Sequence, residues 1–586
     1  MAARLQARFQ PPARPTGPAR APVIAIQQHT CYHPAYVPGS ERYRVRIGMR
    51  HAAAHGDCWL AVHPAAPPRA RLQRKGNGMA HTRWSKRWIW LTAATLALLA
   101  LAGVAANAAY THPARAASST NTSSSTTSGK PTWWAKLQHV SAAGFTPRAN
   151  PGATKSVSVG ANVDASNEPG PQSETSIAIN PSNPSQLVAG SNEIDRLPMR
   201  GYFSSDGGAT WGGVDLPLPP PIAKNGFDFG SDPGVAWDTR GNVFYSYIVV
   251  FFGTGGGING TEMAVARSSD GGHSYTTTFF NPQTGSGQFN DKPMIAVDTN
   301  LNSPHRDTVY VAWDNNDGSS ASGNNLLVSH STDGGVTFST PVIASATGGG
   351  PKSVIGADPF VGPDGTLFVA WHDTRNSAIV ASSSADGGLS FGPTRTIAPT
   401  AAQFDIGIPS MASRRALVYP ACGADTSAGP NRGTLYCSWT DATTTNGTDI
   451  LVARSTDGGV TWSAPVRAND DAAGLANDQF NQWLAVDPAN GSVDVSWNDT
   501  RNDPAHLTTD IFFTRSTDGG LTYAANVQVT TAPTDETCCG ADLGNQYGDY
   551  EGIAALGNVI HPVWTDRRAS VASLGEEVFT ATIKVK

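Results

Sequence analysis

Ser331-Thr332-Asp333-Gly334-Gly335-Val336-Thr337-Phe338 holds the reading that decides the fold. Its Asp and Ser/Thr side chains can bond nearby backbone N–H groups, its paired glycines can take positive φ, and its closing aromatic can return to a core: this is a hairpin turn. The pattern occurs six times, at Ser204–Trp211, Ser268–Tyr275, Ser331–Phe338, Ser384–Phe391, Ser455–Trp462 and Ser516–Tyr523. Its aspartates are 64, 63, 53, 71 and 61 residues apart, about one four-stranded sheet each. A turn recurring in equivalent places is a structural plug, not a catalytic centre.

Outward from each turn the same strand grammar returns. An Asp-Pro-like start opens an apolar strand (Asp232–Trp237, Asp291–Val297, Asp358–Val361), and a second strand often ends in Trp with Asp close behind (Val309–Trp313, Leu367–Trp371, Val493–Trp497). A third runs into the turn (Ile450–Arg454, Ile511–Arg515). After the last turn come three strands, around Tyr550–Ala555, Val559–Trp564 and Glu577–Ile583, and then the chain ends. The alternating segment Ser156–Val163 can supply the missing fourth strand and close a ring with no free sheet edge. Seven units of about 62 residues match the 436 of 151–586, so the expectation is an all-β, seven-bladed propeller, with six blades as the alternative.

Composition agrees. Charged residues are 15% of 586 while Gly (61) and Pro (41) are abundant, which excludes coiled coils and helical bundles. Residues 1–150 carry 19 Lys+Arg against 2 Asp+Glu, whereas 151–586 carry 22 against 44. An acidic body excludes nucleic acid as the expected partner.

Met79 to Ala109 reads as an export signal: Arg83, Lys86 and Arg87, then the apolar Ile89–Ala106, then Ala106-Asn107-Ala108 for cleavage. The rival is an uncleaved membrane anchor. Residues 1–78 read as an upstream extension, either disordered or lying before a true start at Met79. Residues 110–150 read as a Ser/Thr-rich linker, most biased over Ser118–Ser128. The body is expected outside the cytoplasm as a monomer.

The Ser-x-Asp-Gly-Gly-x-Thr-Trp box resembles the Asp-box (BNR) repeat of the sialidase/neuraminidase superfamily, over about 160–586. The resemblance implies boxes between third and fourth strands, on the face away from the catalytic centre. It also implies an arginine trio for the substrate carboxylate, a Tyr nucleophile sharpened by Glu, and an Asp acid/base. The family's first arginine sits in a Phe/Tyr-Arg-Ile-Pro motif. This chain departs from it with Gln172-Ser-Glu-Thr-Ser-Ile177, and Asp195-Arg196-Leu197-Pro198 comes only ten residues before the first box.

On the opposite face should lie His372-Asp373-Thr374-Arg375, Asn498-Asp499-Thr500-Arg501 and Thr565-Asp566-Arg567-Arg568. Arg375, Arg501 and Arg567 are the substrate-binding candidates; the competing reading is a turn-locking Asp–Arg pair in each loop. Tyr547, Asp549, Tyr550 and Glu551 bring a phenol and carboxylates to the last blade, with Tyr547 and either Asp549 or Glu551 as the easier nucleophile pair and Tyr550 as a substrate contact. Asp195 is the acid/base candidate. Asp232, Asp291, Asp358 and Asp478 either cap strands or hold a structural Ca²⁺; no other cofactor is expected. Cys422, Cys437, Cys538 and Cys539 allow three pairings, of which Cys422–Cys437 is preferred, leaving Cys538 and Cys539 as a vicinal bridge or two thiols. No zinc spacing, phosphate loop or serine elbow is present. The function expected is a sialidase-like glycoside hydrolase, of exo-α-sialidase type in its narrowest form. The alternative is a non-catalytic propeller binding carbohydrate or protein at the cell surface.

Overall fold

The computed structural model describes residues 156–586 except 221–227, 253–257, 286–287, 317–323, 346–353, 412, 444–446, 570 and 572–574. The expected signal, linker and upstream extension lie outside the described residues. Among those described, strands dominate and one short 3₁₀ turn, Pro409–Met411, is the only helical element.

Seven antiparallel sheets follow one another, the first from Gln172–Ile179, Leu187–Glu193, Arg200–Ser204 and Gly212–Asp215. The inner strands of the next five are Asp228–Trp237, Phe289–Val297, Val354–Val361, Ala421–Ala424 and Gln479–Val486. The seventh has Gly552–Leu556, Val559–Asp566 and Glu577–Val585, and its outer strand is Val157–Asp164 from the start of the body. Val157 pairs with Val585, Val159 with Ile583 and Asp164 with Phe579, so the first and last strands of the body close the ring. The seven-bladed propeller is the fold.

Apolar alternation places one cluster between each neighbouring pair of blades. Trp313, Trp371, Trp439, Trp497 and Trp564, on the second strands of blades three to seven, are at most 1% exposed. The seam between last and first blade is of the same kind, with Val563 and Val578 packed against Ile177, Leu187 and Tyr202. Closure therefore buries apolar surface that an open array would leave wet.

The six boxes share one geometry. In the third blade Asp333 Oδ1 accepts the amides of Val336 (3.1 Å) and Thr337 (2.9 Å) and the Ser331 hydroxyl (2.8 Å), while Oδ2 accepts the Thr337 hydroxyl (2.6 Å). Gly334 and Gly335 have φ of 74° and 81°. Between blades four and five the connection is longer and forms its own ribbon, Asp405–Ile406 with Ala416–Leu417.

The Thr210, Ser390 and Thr461 hydroxyl bonds, reinforced by turn amides, hold Asp206, Asp386 and Asp457 down at about 2. A carboxylate depressed in the folded state contributes stability that is complete above the unfolded pKa, about 4, and is lost as pH falls through the folded value. The urea midpoint should therefore drop between about pH 4 and 2, and drop less in the triple variant Asp206→Asn, Asp386→Asn, Asp457→Asn. Asn162, in the closing strand, donates to Val529 O (2.9 Å) and accepts from Thr531 N (2.7 Å). Asn162→Ala should cost about 1–3 kcal/mol in the same assay.

Candidate functional site

The inner strands of blades one, two, three, four and six each shift register once near their start. At each shift one residue is left-handed: Glu174 (φ 56°), Asp232 (61°), Lys292 (53°), Gly356 (77°) and Asn481 (48°). Four of these are not glycine, and a β-bulge turns its extra residue out of the ladder. Three of the bulges thus bring the charged groups of Glu174, Asp232 and Lys292 together near the axis. Gly548 (φ 75°) makes the equivalent turn before blade seven and delivers Asp549 to the same place.

Lys292 is 4% exposed and its ammonium bonds Asp549 Oδ2, with Glu174 Oε1 3.9 Å away. Arg414, from the long connection between blades four and five, sets Nη2 2.9 Å from Asp549 Oδ2 and 3.2 Å from Glu174 Oε1, and Nε 3.0 Å from Asp549 Oδ1. Asn192 donates to Glu174 Oε2 at 2.9 Å, and Asp232 Oδ2 accepts the Lys292 amide at 3.0 Å. Glu174, Asp232 and Asp549 are all buried; the Arg414 side chain, 30% exposed, is the link to solvent.

Burial lifts Glu174 to about 8 against the pull of Lys292. Burial works the same way on Asp549, but there Lys292 and then Arg414 outweigh it and hold the carboxylate below its usual range. Lys292, which burial alone would discharge, is kept charged by Asp549 and Glu174. Below this cluster the rings of Tyr550, Trp483 and Tyr419 lie 5.7–5.9 Å from one another. Tyr550 and Trp483 border an axial cavity of about 170 Å³ lined from all seven blades, with Ser176, Gly234, Met294, Asp358, Cys422 and Gly552 among its other residues.

The structure separates most of the residues expected to act together. Asp195 is an exposed residue beside Gly170. Tyr547 is fully buried against Ile408, Met411, Ala416 and Phe480, with its hydroxyl 3.2 Å from Thr509 Oγ1. Glu551 accepts from Asn498 Nδ2 (2.8 Å) and Thr565 N (3.2 Å) between blades six and seven. Tyr550 gives its hydroxyl to Pro233 O at 3.2 Å, and burial pushes that phenol up, away from nucleophile character. Asp549 alone of the expected catalytic acids enters the charged cluster.

The arginine loops lock turns. Asp499 accepts the Trp497 indole (2.8 Å) and holds Arg501 Nε (2.9 Å) and Nη2 (2.7 Å); Asp566 does the same for Trp564 and for Arg568. Arg567 turns instead to Cys539 O (2.5 Å) and Glu576 (3.6 Å). Arg375 is exposed, and its amide is bound by Asp373.

Of Asp232, Asp291, Asp358 and Asp478, the first two hydrogen-bond each other beside Lys292, while the other two have partners elsewhere. The Lys292 ammonium supplies the positive charge beside Asp232, Asp358 accepts the Cys422 amide (2.5 Å), and Asp478 lies beside Gly447. Among the described residues no group of three or more His, Cys, Asp or Glu is placed to hold a metal ion. Both bridges, Cys422–Cys437 and Cys538–Cys539, are present.

Glu174, Lys292 and Arg414 were not singled out by sequence. A signal existed for two of them: aligned on the bulges, position 174/232/292/356/481 reads Glu, Asp, Lys, Gly, Asn, so charges of both signs occupy one place in the repeat. Arg414 had none, because its segment lies outside the repeat.

No protein-family profile matches the chain, and no curated protein does. Solved structures similar to it include the leech intramolecular trans-sialidase (14% identity, TM-score 0.42, covering 66% of this chain and 72% of that one). The Hadza microbial sialidase Hz136 is similar at 14% identity and TM-score 0.38, covering 69% and 74%. The α-L-arabinanase of Penicillium chrysogenum is similar at 10% identity and TM-score 0.39, covering 73% and 98%.

Removing the buried cation leaves Asp232 and Asp549 short of positive charge, with half-buried Arg414 alone on Asp549, so Lys292→Met should destabilise by about 3–5 kcal/mol at pH 7 in urea unfolding. That cost should shrink as pH falls from neutral toward about 4, because carboxylates buried without this cation take up protons above their ordinary range.

Proposed function

We propose that this chain is an exported glycoside hydrolase whose chemistry is centred on Glu174 and Asp549. One observation carries the reading: the two carboxyl groups share Arg414 Nη2 and are driven in opposite directions, Glu174 up to about 8 and Asp549 down. Such a pair at neutral pH is one protonated acid beside one carboxylate, which is what cleavage of a glycosidic bond needs. Glu174 gives its proton to the departing oxygen, and Asp549 meets the positive charge developing at the anomeric carbon. Their oxygens on Nη2 are no more than about 6 Å apart, which fits direct attack by the carboxylate and retention of configuration.

Exo-α-sialidase activity is the narrower form of this reading. It draws no support from Arg501 or Arg567, which are committed to partners of their own, nor from Tyr550, whose phenol is held neutral. A sugar without a carboxylate suits the charge-balanced cluster better. The second reading, a non-catalytic binding propeller, is favoured by the depth at which the cluster is buried.

A panel of aryl glycosides, including arabinofuranosides, hexopyranosides and a sialoside, tests this. Asp549→Asn should lower kcat about 10³-fold, and Glu174→Gln should do so only for substrates with poor leaving groups. The wild-type rate should fall as pH rises through about 8, where Glu174 loses its proton, and Glu174→Gln should lack that limb. Absence of turnover on the whole panel, with glycan binding retained, would leave the binding reading.

A further inference from the structure

Cys538 and Cys539 are neighbours in sequence, bridged to each other, and exposed. They sit at the start of the loop that ends in Asp549. The bridge closes a small ring around one peptide bond, and within it Cys539 is left-handed (φ 62°), a conformation rare for a residue with a Cβ.

The left-handed turn aims the Cys539 carbonyl at buried Arg567, whose Nη2 donates to it at 2.5 Å. Arg567 Nε lies 3.6 Å from Glu576 Oε1, and that oxygen accepts the Asp542 amide at 2.8 Å. Asp542 O accepts the Gln546 amide (2.8 Å), and Gln546 Oε1 accepts the amide of Arg414 (3.0 Å). Gly548 and Asp549 follow. A continuous set of hydrogen bonds and ion pairs thus joins the bridge to the Arg414 amide, and the same loop runs on along the chain to Asp549.

We propose that Cys538–Cys539 is a thiol–disulfide exchange site for an extracytoplasmic dithiol, and that its reduction releases the loop holding Asp549 in the axial cluster. The dithiol's thiolate attacks one bridge sulfur and forms a mixed disulfide, expelling the other cysteine as a thiolate. The second thiol of the dithiol then displaces the first cysteine. Two electrons and two protons pass to the cysteines, and the dithiol leaves as its own disulfide. Asp535 Oδ2, 3.3 Å from Cys538 Sγ, is placed to accept the S–H of the reduced form. Without the ring, Cys539 leaves the left-handed region and its carbonyl leaves Arg567. Cys422–Cys437 is buried in the blade-five sheet and does not share this access.

The effect on catalysis rests on the function proposed above, but movement of the loop does not, so the deciding measurement uses no substrate. Hydrogen–deuterium exchange of residues 538–550 is followed with and without dithiothreitol, with thiols counted by alkylation and mass spectrometry. Reduction to two thiols should speed exchange at the amides of Asp542, Gln546, Gly548 and Asp549 at least about tenfold, with the box amides of Gly335 and Thr337 unchanged. The variant Cys538→Ser/Cys539→Ser should exchange like the reduced protein. Cys538→Ser/Cys539→Gly should stay protected, because glycine holds φ 62° without a bridge. Unchanged exchange with two thiols verified, a bridge that resists excess dithiothreitol, or equal exchange in the two double variants would each overturn the proposal.

Discussion

The pairing of Val157–Asp164 with Glu577–Val585 is the constraint on which the rest depends. A blade has two apolar faces and each must be covered by a neighbour. An open row of seven would leave two of these faces in water. Hydrogen bonding the start of the body to its end turns the row into a ring. The seam between blades seven and one then has the same apolar packing as the other six, and seven inner strands are forced to point at one axis.

Convergence on an axis has a chemical consequence. Inner strands that merely paired would present their side chains to the neighbouring blades. The bulges at Glu174, Asp232 and Lys292 break that alternation once per strand and send one side chain each toward the centre. There, water is scarce and charges interact strongly, so Lys292 stays protonated only because Asp549 and Glu174 surround it. Two chemically similar carboxyl groups are pushed in opposite directions because Asp549 holds both cations closely, whereas Glu174 receives a longer contact from each and faces Asp232 and Asp549 as well. The arrangement is exacting, and the surrounding ring is what fixes it.

The Trp-x-Asp-x-Arg loops show the opposite use of charge. Trp497, Asp499 and Arg501 form a closed unit, with the indole and guanidinium both satisfied by one carboxylate and the guanidinium lying 4.2 Å over the Phe512 ring. Trp564, Asp566 and Arg568 repeat it over Phe579. Recurrence at equivalent places was the guide to structural roles here, for the loops as for the Asp boxes. Tyr547, Asp549, Tyr550 and Glu551 do not recur, and of them only Asp549 joins the charged centre. Tyr547 became core beneath the ribbon of blades four and five, and Glu551 a tie between two blades.

The sequence by itself determined the number of blades, the order of strands, the turns that carry the boxes and the strand that closes the ring. Each of these is a local pattern repeated, and repetition makes a local preference legible. Tertiary structure alone decided which side chains meet. Glu174 and Arg414 are 240 residues apart and Lys292 and Asp549 are 257 apart, and what joins them is the distance between blades around a closed circle. Protonation was settled there too, since a carboxyl group's charge depends on how much water and how many cations lie within a few ångströms, which no spacing along the chain encodes.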